Sequence, residues 1–147
     1  MKMTKQEYSE YVKKMSPNSP LWKDMLLAFL VGGAICALGQ GIQNGWNALG
    51  LDKSDAGMMT SISLIVLSAV LTGLGLYWRI AKYAGAGTLV PITGFANAIT
   101  SAAIEFKTEG FILGVGAKMF TIAGPVIVYG VSASVAYGLI YWITTLL

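Results

Sequence analysis

Four polar side chains in an otherwise apolar stretch are the first candidates for chemistry. In GAGTLVPITGFANAITSAAIE, residues 85–105, Thr93, Asn97, Ser101 and Glu105 recur at every fourth position. On a helix they form one polar stripe. Gly94, Ala98 and Ala102 form a small-residue face beside it, smooth enough for another helix to approach closely. Hydroxyls, an amide and a carboxylate in a row suit two roles: the lining of a polar pathway, or a packed, hydrogen-bonded helix contact. Pro91 and Gly94 are expected to break or loosen the segment where the stripe begins. Irregular backbone at membrane depth is tolerated only when buried in protein or lining a watery cavity. The balance favours a pathway past Pro91, Thr93, Gly94, Asn97, Ser101 and Glu105.

Lys118 lies within the apolar block that follows residue 110. A charge inside a membrane segment costs from about 2.5 kcal/mol upward and faces protein or water. It either snorkels to the headgroups or turns inward, as a counter-charge for Glu105 or for an anionic solute. Gln40, Gln43, Asn44 and Asn47 share one helical face. They either line a vestibule or mark where the first span emerges into the interface.

Other chemistries find little footing. Histidine is absent, which removes the commonest metal ligand and the usual general base near neutral pH. The single cysteine, Cys36, allows no internal disulfide and no thiolate cluster. Gly85-Ala86-Gly87-Thr88 opens like a phosphate loop but lacks the G-K-[ST] that completes one. Glu105 and Glu109 read better as interfacial charges around Lys107 than as an acid–base pair. No metal, no cofactor and no enzymatic activity are expected.

The elements that position these groups follow from composition. Of 147 residues, 55% are hydrophobic and 12% charged, with mean hydropathy +0.65; soluble domains carry about a quarter charged residues. Met25 to Leu51 and Gly57 to Trp78 are free of charge, and apolar runs of about 18 residues or more read as spans. The expected fold is all-α, a polytopic integral membrane protein with four to five membrane-embedded helices. A single membrane domain, 21–147, follows an N-terminal arm, 1–20. In the arm, Thr4 and Glu7 fit a capping box. Tyr8, Tyr11, Val12 and Met15 oppose Lys5, Lys13 and Lys14, giving either a short amphipathic surface helix or a disordered tail. Ser16-Pro-Asn-Ser-Pro20 ends whatever helix forms.

Spans are expected from Trp22 to Gly41 and from Met58 to Trp78. Residues 85–105 either cross or re-enter. Gly124-Pro125 is expected to divide the last block into a short piece, Gly110 to Ala123, and a span, Val126 to Leu146. The net charge of +3 sits mostly in the arm and at Arg79–Lys82. It matches a membrane surface rather than nucleic acid, and it places the N-terminus and Arg79–Lys82 in the cytoplasm.

Gly85-Ala-Gly87, Pro91-Ile-Thr-Gly94-Phe, Asn97, Ser101, Glu105, Gly114-Val-Gly116 and Gly124-Pro125 together resemble the core of the stage V sporulation membrane proteins AC and AE. The resemblance implies a protein of the inner membrane around the forespore of spore-forming bacteria. It implies a role in moving dipicolinic acid, with calcium, into the spore and out of it on germination. It also implies a channel opened by membrane tension, working with the other proteins of the stage V sporulation A operon. It brings no catalytic residue. Helices this few do not enclose a wide pore alone, so an oligomer or hetero-complex in the bilayer is expected. A non-conducting scaffold for the transport complex and a secondary transporter coupled through Glu105 are the alternatives.

Overall fold

The computed structural model describes residues 4–16 and 19–146, and those residues form helices and turns without a strand. The first helix, α1 (Lys5–Met15), carries the expected capping box. Its Thr4 Oγ1 accepts from the Glu7 N–H at 3.3 Å, and the Glu7 carboxylate accepts from the Thr4 N–H at 2.8 Å. No residue of α1 is buried. Pro17 and Asn18, assigned to the turn that ends it, lie outside the described residues.

Helix α2 (Leu21–Ala48) has 28 residues, roughly 42 Å, which exceeds the ~30 Å hydrocarbon core. It does not end at Gly41. The amides Gln40, Gln43, Asn44 and Asn47 lie inside it, because nothing stops the helix before Gly50 takes a φ of +94°. Helix α3 (Lys53–Gly73) starts at Asp52, whose carboxylate accepts the Asp55 N–H at 2.8 Å. It packs antiparallel on α2, with Leu64 beside Gly39, Gln43 beside Gly57, and Trp46 Nε1 donating to Ser63 Oγ at 3.4 Å.

The second span begins earlier and ends before its apolar run does. It stops at Gly73, and Gly75, at φ +66°, turns the chain away. Trp78, Arg79 and Lys82 therefore lie on a separate helix, α4 (Tyr77–Ala84). A 3-10 turn, Gly85–Thr88, leads to α5 (Pro91–Glu105). Pro91 does not break this segment; it occupies the first turn of α5, where its missing N–H has no helical partner to lose. Gly94 likewise lies inside a regular helix. The irregular backbone comes earlier, between Gly85 and Val90.

After α5 a second 3-10 turn, Phe106–Glu109, reaches Gly110 at φ +99°. Phe111–Gly116 is a π-helical stretch, with the Val115 N–H bonded to the Gly110 carbonyl at 2.9 Å. Helix α6 (Ala117–Leu146) then runs unbroken through Pro125. The expected division at Gly124-Pro125 is absent and the break lies at Gly110 instead. Proline removes one donor, whereas ending the helix in hydrocarbon would strand several backbone groups with no water to meet them.

Among the described residues three helices are long and apolar enough to cross a membrane: Leu21–Ala48, Lys53–Gly73 and Phe111–Leu146. At 15 residues, α5 is roughly 22 Å long and too short to cross. The buried core is small, comprising Ala56, Leu64, Tyr77, Ala84, Ala96 and Ala102 with Thr60, Ser68, Thr88 and Thr93. Large side chains such as Phe29 and Leu113 point outward, 77% and 81% exposed. Small and hydroxyl residues inside with bulky ones outside is the packing of a protein whose solvent is lipid.

Candidate functional site

The contact between α3 and α5 organises the site. Ala56, Thr60, Leu64 and Ser68 form a buried stripe on α3 at every fourth residue, and Thr72 continues it. Ser68 Oγ donates to the Thr93 carbonyl at 2.7 Å, and Thr72 Oγ1 lies 2.8 Å from the Asn97 amide. Both pairs are 25 residues apart, so α3 and α5 run parallel in one register. Thr72 Oγ1 also lies 2.7 Å from the Ser68 carbonyl. A hydroxyl has a single hydrogen, so both contacts are satisfied together when the Asn97 amide turns its NH2 toward Thr72.

This register fixes depth. Thr93 is level with Ser68, so Pro91 is level with about Val66, and the rest of α3 rises roughly 10 Å to its end at Gly73. Helix α5 thus begins about 10 Å inside the end of a membrane-spanning helix and runs back toward that end. The segment re-enters; it does not cross.

The turn that delivers it is held by close backbone contact. A Cβ on Gly87 would collide with the Ala28 backbone of α2, and a Cβ on Gly32 would press on the Gly87 carbonyl. Ala28 and Gly32, part of a small-residue stripe that continues to Cys36, are the seat for this turn. A Cβ on Gly94 would strike the Thr88 carbonyl, which keeps α5 tight against its own entry turn. Buried Tyr77 completes the seat by donating its OH to the Thr88 carbonyl at 3.0 Å. Sequence reasoning passed over Tyr77 because it extended the second span through it. Gly73 and Gly75 were the signal that the span ends first and that Tyr77 begins an inward-facing piece.

The polar stripe therefore divides. Thr93 is buried, and Asn97 is half-buried against Thr72. Ser101 and Glu105 are exposed, and Ser101 Oγ bonds back to the Ala98 carbonyl at 3.1 Å. The register explains the division, since residues 101 and 105 are level with 76 and 80, past the end of α3. Lys118 is half-buried, with Nζ 4.4 Å from the Phe106 ring centroid. Its charge rests on an aromatic face at the α5–α6 connection, a position set by Gly114, which packs under the Phe106 carbonyl. Gln40 donates to Asn44 at 2.9 Å on an exposed face of α2, while Gln43 turns toward Gly57. The amides do not share one surface.

Two cavities flank α5. One of about 470 Å³ opens between α3, α5 and α6, lined by Ser61, Ile65, Pro91, Ile92, Phe95 and Val126 among others. A second, of about 160 Å³, lies between α2, α3 and the re-entrant segment, against Ile35, Leu64, Ser68, Tyr77 and Thr93. No side chain caps the start of α5, so its first amides and the positive end of its dipole face membrane depth. Among the described residues no group of side chains is placed to hold a metal ion.

Comparison with known proteins gives a consistent result. The family model described as SpoVAC/SpoVAEB sporulation membrane protein matches residues 24–140. Stage V sporulation protein AC of Bacillus subtilis (strain 168) is 49% identical over 137 residues, covering 92% of this chain and 91% of that protein. No solved structure matches.

Proposed function

The chain belongs to the SpoVAC/SpoVAEB family of sporulation membrane proteins, and on that premise we propose that it is a channel subunit for dipicolinic acid, with calcium, in the spore inner membrane. It serves uptake during spore formation and release on germination, and membrane tension opens it. The observation that carries this reading is α5, a half-length helix that starts uncapped at membrane depth. A helix N-terminus at that depth is a favourable place for a carboxylate, and dipicolinate carries two.

On this reading the solute passes along α5, by Pro91, Thr93, Gly94, Asn97, Ser101 and Glu105. Lys118 draws the anion to the mouth, and Gln40, Gln43 and Asn44 serve at the far end. The cavities within one chain present almost wholly apolar surface, the hydroxyls at their walls being turned away, so the polar route runs between copies or between this chain and other stage V sporulation A proteins. The N-terminal arm faces the cytoplasm, which is the spore-core side. Vesicles loaded with dipicolinate and carrying the purified chain test this: release on osmotic downshock above that of empty vesicles is the expected result. Equal leak contradicts conduction by the chain alone.

One observation favours a second reading, a non-conducting scaffold that assembles the transport complex. The Asn97 amide is spent on Thr72 and the Thr93 carbonyl accepts from Ser68, as in packed helices, while the Thr93 hydroxyl turns back to the Val90 carbonyl. Labelling of cysteines at 93, 97 and 101 by a water-soluble reagent separates the two: reaction at all three marks a pathway, and reaction at 101 alone marks a packed contact.

A further inference from the structure

We propose that the unit from Tyr77 to Glu109 has a second seat against α2 and α3, one helical turn along from the one it occupies, and that the protein switches between the two. The inference concerns the motion of this unit and stands whether or not the chain conducts.

The partners on both sides repeat every four residues. On α3 the hydroxyls are Ser68 and Thr72; on α5 they meet the Thr93 backbone carbonyl and the Asn97 amide, and Ser101 follows at the same spacing. A shift of four residues, about 6 Å, toward the start of α3 brings Asn97 to Ser68 and Ser101 to Thr72. Two interhelical hydrogen bonds are replaced by two. Thr93 then faces Leu64; its hydroxyl keeps its contact with the Val90 carbonyl, and its carbonyl, released by Ser68, keeps its place in the α5 backbone ladder. The seat on α2 repeats in spacing but not in size: Cys36 takes the place of Gly32, where a Cβ would lie 3.3 Å from the Gly87 carbonyl, so the second seat is the tighter one on this side. Gly87 now packs against Ala28 and Gly32; because α2 is antiparallel to α3, the shift carries it to Gly32 and Cys36. Cys36 is exposed in the present seat.

Space lies along α5 and glycines bound the unit; at its far end the shift also carries along or releases Gly114, which packs under the Phe106 carbonyl. The shift moves the first turn of α5 toward Ser61 and Ile65, which line the cavity of about 470 Å³, and toward Leu64 at the cavity of about 160 Å³. The unit is bounded by Gly75 at φ +66° and Gly110 at φ +99°, with Gly73, which has no neighbour within 4 Å of a Cβ, just beyond. Within the unit, Gly94 on the Thr88 carbonyl and Tyr77 on the same carbonyl hold the parts together. Such a discrete one-turn step between two packed arrangements is an established kind of protein switch. Glu105 now stands about 10 Å past the end of α3 and in the second seat about 4 Å past it. A thinner bilayer therefore favours the second seat.

Disulfide trapping in vesicles tests the switch, using the full chain with Cys36→Ser. The pair Thr72→Cys/Asn97→Cys reports the present seat and Thr72→Cys/Ser101→Cys the second, with Thr72→Cys/Ala103→Cys as the off-face control. The expected result is efficient cross-linking of 72/97 at rest and a severalfold rise of 72/101 over control on osmotic downshock. A bulky Cys36→Phe should abolish the 72/101 product and spare 72/97. If 72/97 forms while 72/101 stays at control level under every osmotic condition, the second seat does not exist. If 72/101 rises in vesicles that release no dipicolinate, the switch holds and the channel reading falls.

Discussion

Thr72 and Asn97 meet at 2.8 Å across the α3–α5 interface, one residue before α3 ends. That contact draws the boundary of the candidate site: on its inner side the polar stripe is sealed against α3, and on its outer side Ser101 and Glu105 stand free. A double-mutant cycle with Thr72→Val and Asn97→Leu, read by thermal stability in detergent, is expected to give a coupling of about 0.6–1.7 kcal/mol. Additive effects would mean that the two side chains do not interact in the membrane.

The seat of the entry turn makes a sharper contrast. Gly87→Ala forces a methyl into the Ala28 backbone, and overpacking of this kind costs about 1–3 kcal/mol. Gly33→Ala, one residue from the seat with nothing within 4 Å, should be neutral or gain up to about 1 kcal/mol from helix propensity. Melting temperatures of the two variants in one detergent provide the comparison. A Gly87→Ala protein as stable as the parent would remove the close contact with α2.

Because the segment re-enters, both ends of the Tyr77–Glu109 unit lie on one side. Single cysteines at Arg79 and Glu109, in a Cys36→Ser background, should react with an impermeant reagent from one face of sealed vesicles. Cysteines at Asp55 and Thr145 should react from the other. Reaction of Glu109→Cys together with Asp55→Cys would mean that residues 85–105 cross.

In α1 the hydrogen bonds from Thr4, backbone first and side chain second, hold the Glu7 carboxyl below the usual carboxylate range. A lowered pKa means that the cap is fully formed above the ordinary value of about 4.3 and is lost as pH falls through the lowered one. The Thr4 amide signal in an NMR titration should therefore shift with a midpoint below that of a free glutamate, and in Glu7→Gln it should not titrate. A midpoint at the ordinary value would leave the capping box without ionic character.

Much of this was legible before any coordinates. Uncharged runs gave the membrane helices, Thr4 and Glu7 gave the cap, and the spacing of Thr93, Asn97, Ser101 and Glu105 put them on one face. Element ends were harder to read because hydropathy does not mark them. The chain from Met58 to Trp78 is free of charge throughout, yet Gly75 turns it, and four amides fall between Gln40 and Asn47, yet α2 continues. Proline misled twice, since it starts α5 at Pro91 and is absorbed by α6 at Pro125. What sequence could not supply was the 25-residue register between α3 and α5. Nothing in the spacing of Ser68 and Thr72 marks them as facing Thr93 and Asn97; only packing does.

The most direct test of the channel reading is dipicolinate efflux on osmotic downshock from vesicles carrying equal amounts of the parent chain or of Asn97→Leu, both checked for insertion by the labelling pattern above. The expected result is efflux through the parent and its loss in Asn97→Leu, because a leucine removes the half-buried amide in the middle of the stripe. Undiminished efflux through Asn97→Leu would take Asn97, and with it the route along α5, out of the account.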